Sequence, residues 1–139
     1  MGKQQNYAYG DITLCGEVVS AQSPLSEVDV IDLTVTKNAD CSYVLIGNNI
    51  CYTLTYVNNS DVDFTTEDMG AIIVRDPLGS NVTFVDGSMT VDIDDAGPEP
   101  VVPIIDGATN VLTYDGLELE AGKTAIVVFC VTVNSMPAA

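Results

Sequence analysis

From about Val30 onward, apolar and polar residues alternate with a period of two, and Val, Ile, Leu, Tyr and Thr hold most of the alternating positions. Successive side chains of an extended strand point to opposite faces, so this alternation predicts half-buried strands and not amphipathic helices. The pattern places strands near 31–37 (IDLTVTK), 50–57 (ICYTLTYV), 70–75 (GAIIVR), 82–85, 89–94, 111–115 (VLTYD) and 124–134 (TAIVVFCVTVN). Turn-forming residues stand between them: Gly47-Asn48-Asn49, Asn58-Asn59-Ser60, Asp76-Pro77-Leu78-Gly79, Asp86-Gly87, Asp115-Gly116 and Ala121-Gly122. Gly supplies positive φ and Asn and Asp bond to their own backbone, which is why such clusters end strands.

About seven short strands punctuated in this way predict an all-β fold, an immunoglobulin-like two-sheet antiparallel sandwich. The segment AGPEPVVP (96–103) reads as an edge or a long connection, since proline cannot donate to a central ladder. Residues 1–29 differ from the rest. They carry Gly, Gln and Ser around one extended stretch, Asp11 to Val19, and read as an N-terminal extension joined to a sandwich domain at 30–139. The extension is either a loose leader or an arm that docks on a neighbour through Ile12, Leu14 and Val18.

Composition narrows the function classes. The chain of 139 residues is 47% hydrophobic, with mean hydropathy +0.27, yet its formal net charge is -16. High hydrophobicity with high charge is not the composition of a disordered chain. Four basic residues, Lys3, Lys37, Arg75 and Lys123, are too few to neutralise a run of phosphates or to hold an anionic leaflet, so nucleic acid and membrane surfaces are poor partners. No apolar run approaches a membrane span, and the opening residues MGKQQNYAYGD hold no hydrophobic signal core. Histidine is absent, which removes the commonest general base and transition-metal ligand. An enzyme is therefore not expected. The four cysteines, at 15, 41, 51 and 130, form no CxxC pair, so neither a zinc site nor a thioredoxin-like motif is expected.

Four segments carry a resemblance. NICYTLTYVNNS resembles the "TVTYTITVTNTG" signature of the bacterial surface-protein repeats called domain of unknown function eleven. In the same order as in that family stand DLTVTKNAD (32–40), VRDPLGSNVTFVDGS (74–88) and LTYDGLELEAGKTAIVVFCVTV (112–133). The resemblance covers roughly 30–134 and implies an immunoglobulin-like sandwich that serves as spacer, stalk or assembly unit in extracellular polymers, without catalytic residues. The family is met as tandem copies. A single copy with an arm points instead to a subunit that assembles with other copies of itself into a head-to-tail homopolymer, a filament or appendage outside the cell or on a spore surface.

Several residues bear on that reading. Matched to the family's alternation, Ala125, Val127, Phe129, Val131 and Val133 point to the core, which leaves Ile126 and Val128 as an apolar outer face on a strand that would lie at a sheet edge, either buried under the chain's own loop or leader or forming an interface with another copy. Cys51 and Cys130 are outward too, and with Cys15 in the extension they are candidates for interchain disulfides. The intrachain alternative is Cys41 with Cys51. Lys37 shares the inward parity of Ile31, Leu33 and Val35; it is read as a snorkelling strand-end residue, with an isopeptide bond to Asn134 as the rarer alternative. The acidic groups Asp61/Asp63, Glu67/Asp68 and Asp92/Asp94/Asp95 could offer oxygen ligands to calcium but lack a fixed-spacing loop, so no metal or other cofactor is assigned. Asn58-Asn59-Ser60 and Asn81-Val82-Thr83 fit the glycosylation pattern. The rival function is an adhesin or carbohydrate-binding module acting as a monomer, with Tyr7, Tyr9 and Tyr43 as aromatic contacts.

Overall fold

A computed structural model describes residues 3–6, 9–14, 17–22, 26–67 and 70–137, with backbone alone in the first four strands apart from Gln5 and Gln22. Among these residues every regular element is a strand. The first four are β1 (Lys3–Asn6), β2 (Tyr9–Leu14), β3 (Glu17–Gln22) and β4 (Ser26–Asp29). Nine more follow: β5 (Leu33–Ala39), β6 (Asn49–Asn58), β7 (Ile72–Pro77), β8 (Val82–Phe84), β9 (Thr90–Ile93), β10 (Glu99–Pro100), β11 (Ile104–Ile105), β12 (Val111–Leu117) and β13 (Thr124–Val133).

The last nine strands form two antiparallel sheets, the sandwich that the alternation predicts. The larger runs β10-β9-β13-β6-β5, with β8 also on β13; the smaller runs β11-β12-β7. The architecture is immunoglobulin-like, but the ladder order is not that of an antibody constant domain, where the last strand closes one side of its sheet. Here β13 is central. It pairs with β6 along one side, from Thr124↔Val57 to Thr132↔Asn49, and with β9 and β8 along the other. The expectation of an edge strand at 124–134 is thus corrected. The run Ala-Ile-Val-Val-Phe is apolar at both parities, which suits a strand buried on its core face and flanked by neighbours that half-bury its outer face.

One face of β13 makes the core. Ala125, Val127, Phe129 and Val131 are fully buried, and they meet Leu54 and Tyr56 from β6, Val91 from β9, and Val74, Leu112 and Leu117 from the opposing sheet. Phe129 sits between Tyr52 and Phe84, its ring centroid 5.7 Å from the first and 6.5 Å from the second. Aromatic pairs at this spacing add to the burial of their area.

Two local expectations change. Asp115-Gly116 is not a turn between strands: β12 continues to Leu117 through a bulge, where Gly116 takes a φ of 112° that a side chain would resist. In the extension, the single extended stretch is replaced by two nested antiparallel ladders. β1 pairs with β4 and β2 with β3, so Ile12 lies opposite Val19, Thr13 opposite Val18 and Leu14 opposite Glu17. The extension is a hairpin.

Candidate functional site

The two sheets are unequal, and the inequality opens one side of the sandwich. β5 ends the larger sheet and β7 ends the smaller one. On β6, Leu54 and Tyr56 are only 4% and 6% exposed. On β5, Leu33 and Val35 have the same inward parity, Leu33 opposite Asn58 and Val35 opposite Tyr56, yet they are 36% and 50% exposed. Among the described residues the smaller sheet ends at β7, and on the inward side of β5 only Lys37 reaches that strand, while Leu33 and Val35 stay exposed. Val30 and Ile31, also exposed, extend the apolar row towards the hairpin.

One ion pair spans the seam. Lys37 Nζ on β5 donates to Asp76 Oδ2 on β7 at 2.7 Å and lies 4.3 Å from the centroid of the Tyr52 ring. Asp76 is buried, so the lysine supplies the charge and the donor that an isolated carboxylate would lack. Burial, with the Asp76 charge second, raises the phenol of Tyr56 beside them above its ordinary range. Lys37 therefore snorkels towards a partner, and the isopeptide alternative is not met: Asn134 donates instead to Thr83 Oγ1 at 2.6 Å, at the end of β13.

The main-chain groups on the two open edges follow from the ladders. Asp40 N–H donates to Cys51 O, while the N–H and C=O of Asn58 bond to Lys123 and Gly122 on the β13 side. Hydrogen-bonded pairs alternate with non-bonded ones in an antiparallel ladder, so Leu33, Val35 and Lys37 turn their N–H and C=O away from β6, to the open edge. On β7, Leu78 N–H donates to Asn110 O, and Val111 O is taken by Asp106. By the same alternation, Val74 and Asp76 bond to β12, and Ile73 and Arg75 present their main-chain groups to the open edge.

The cysteines are arranged differently from either expectation. Cys51 and Cys130 are bonded to each other within the chain, at directly opposed positions of β6 and β13 with Cα atoms 4.0 Å apart. They form a non-hydrogen-bonded pair: the N–H and C=O of Cys51 are taken by Asp40, and those of Cys130 by Ser88 and Val85. Such pairs bring side chains closest, which lets the two sulfurs meet. An interchain role for Cys51 and Cys130, and the Cys41–Cys51 pairing, are both corrected. The signal was in the sequence, since both cysteines have outward parity on strands that prove to be neighbours. Cys41 is free and exposed, and a hydrogen bond with the Asp40 side chain is the first cause that raises its thiol above the ordinary value. Cys15 lies outside the described residues.

Other expected sites disperse. Ile126 and Val128 are half-buried in mid-sheet, Ile126 between Thr55 and Asp92, Val128 between Thr53 and Thr90. Ile12, Leu14 and Val18 lie in the β2–β3 ladder. Asn58 is fully buried, its Nδ2 donating to Val62 O and Leu119 O and its Oδ1 accepting from Ser60 N–H, so the first glycosylation pattern is a structural corner and not a glycan acceptor. The carboxylates are engaged locally: Asp63 accepts from Ala121 N–H, Asp92 from Gly97 N–H, and Asp94 pairs with Lys123 at 3.0 Å. Asp68 lies outside the described residues, among which no group of three or more acidic or cysteine side chains could hold a metal. Also among them, no helix is long and apolar enough to cross a membrane. Tyr7 lies outside the described residues, and Tyr43 is 94% exposed in the 40–48 loop beside Leu45 and Ile46. A groove of about 330 Å³ on the opposite side of the sandwich is lined by Val91, Ile93, Tyr114 and Leu117, with Glu99 and Glu118 as its carboxylates.

No family model and no curated protein matches the chain, so the resemblance to domain of unknown function eleven rests on its four segments. Among solved structures, one titled "Crystal structure of the RrgA Jo.In complex" aligns with a TM-score of 0.49 and 14% identity, over 93% of this chain and 76% of that one.

Proposed function

We propose that this chain is a structural subunit, without catalytic activity, that self-associates head to tail into a filament or appendage on a bacterial cell or spore surface. The observation that carries the reading is β5, an edge strand that pairs among the described residues with β6 alone and whose inward-parity Leu33 and Val35 are left exposed. Long edges with apolar side chains are templates for pairing with another chain, and a monomer ordinarily blunts them. The Cys51–Cys130 bridge supports an oxidising destination outside the cytoplasm. The sequence resemblance supports an assembly or spacer role, and the absence of histidine gives a catalytic reading little to work with. With Cys51 and Cys130 bonded together, exposed Cys41 is the free thiol among the described residues that could link copies covalently.

Sedimentation velocity of the full chain across a concentration series, paired with negative-stain microscopy, tests the reading. Concentration-dependent species larger than a monomer are expected, and deletion of residues 1–20 is expected to remove them while the thermal melt of the sandwich persists. A strict monomer at every concentration and salt would reject self-association and favour the adhesin alternative.

A further inference from the structure

We infer that the open edge of β7 is the acceptor for a strand from the N-terminal hairpin of a second copy, which lies across Leu33 and Val35 as a fourth strand of the smaller sheet. This deepens the self-association reading and rests on it.

The two open edges are not equivalent. A strand added to β5 would lengthen the larger sheet but leave the inward faces of Leu33 and Val35 uncovered. A strand added to β7 continues the smaller sheet by one spacing of about 4.8 Å and comes to lie opposite β5, at the sheet-to-sheet distance of about 10 Å. That single addition satisfies the main-chain groups of Ile73 and Arg75 and covers the exposed apolar row.

The occupant follows from charge and from the needs of the hairpin. In a chain with four basic residues against twenty acidic ones, two of the four, Lys37 and Arg75, flank this seam. The hairpin strands carry Asp11, Glu17, Glu27 and Asp29 against Lys3 alone. Lys37 is partly neutralised by Asp76, so an acidic segment is complementary to this edge chiefly through exposed Arg75. A two-stranded hairpin is marginally stable by itself and gains from a third strand. Within one chain and among the described residues, β1 pairs only with β4, β2 only with β3, and β7 only with β12. Donor and acceptor are different surfaces, so the contact is heterologous and repeats without closing.

The test uses the full chain and two substitutions at exposed seam positions. Arg75→Pro removes an edge N–H that does not bond to β12, and Val35→Asp places a charge on the covered row. Both are expected to keep the wild-type melt and to weaken association at least tenfold by sedimentation velocity. Val128→Thr, on the outer face of β13, is expected to assemble as wild type. Mixing isotopically light and heavy chains, followed by carbodiimide cross-linking and mass spectrometry, identifies the donor. Mixed-isotope peptides joining Lys37 to Asp11, Glu17, Glu27 or Asp29 are expected. Folded Arg75→Pro and Val35→Asp chains that assemble normally would overturn the β7 acceptor while leaving self-association intact. Apart from the Lys37–Asp76 link expected within every chain, cross-links from Lys37 to those hairpin carboxylates found only within one isotope would show that each chain fills its own seam and would overturn the second-copy donor. A wild-type chain that never leaves the monomer would overturn both readings.

Discussion

Asn58 shows how much one polar side chain can hold. It is fully buried and serves three backbone groups, at Val62, Leu119 and Ser60, which ties the end of β6 to the turn after it and to the segment before β13. Asn58→Ala leaves those groups short of a partner where water does not reach, and a loss of about 3 kcal/mol is expected in a denaturant melt. Lys37 is the converse case, a half-exposed cation whose value lies in the buried carboxylate it serves. Lys37→Met is expected to cost about 1–3 kcal/mol, because Asp76 remains buried and unpaired. The double change Lys37→Met with Asp76→Leu removes the stranded charge and is expected to recover most of the loss. A double-mutant cycle measures this, and additivity of the two changes would contradict it. Neither partnership was legible in the sequence. Asn58 read as part of a glycosylation pattern, and Lys37 read as a strand end, since nothing in local spacing shows which carboxylate or carbonyl lies across the sandwich.

At the scale of elements, β6 and β13 form the spine of the larger sheet, and Cys51–Cys130 clamps them. The bridge closes a sequence separation of 79 residues, for which the chain-entropy treatment gives about 4.5 kcal/mol and measured cases generally fall at 2–5. Replacing both cysteines with serine is therefore expected to lower stability by roughly 2–4 kcal/mol with the strand pairing kept. Equilibrium unfolding of the variant beside wild type, without reductant, checks it; equal stability would show that the ladder alone holds these strands. The period of two anticipated β5–β9, β12 and β13, but not the short β10 and β11 or the four strands of the hairpin. Nor did it anticipate their order. Reading 124–134 as an edge strand followed from its apolar outer face, whereas an unbroken apolar run fits a central strand equally well.

For the molecule as a whole, charge is the long-range term. With twenty acidic residues against four basic ones, the excess carboxylates repel one another over the surface, and the ion pairs Lys37–Asp76 and Lys123–Asp94 offset little of it. Raising salt from about 0.01 M to about 0.15 M shortens the screening length from about 30 Å to about 8 Å. The melting temperature of the full chain is accordingly expected to rise over that range. A fall would mean that local ion pairs outweigh net repulsion.

The sequence by itself determined what depends on near neighbours. The pleat alternates side chains whatever the fold, so the strands, the buried row Ala125, Val127, Phe129 and Val131, the acidic surface and the lack of histidine could all be read directly. Only the tertiary structure decided which strands lie side by side, because one alternating pattern is compatible with many ladder orders. That order paired Cys51 with Cys130, put β13 in the middle, folded the extension into a hairpin and left β5 and β7 as the open edges on one side of the sandwich. The candidate site is a property of where two sheets end, and the end of a sheet is set by contacts between residues far apart in the chain.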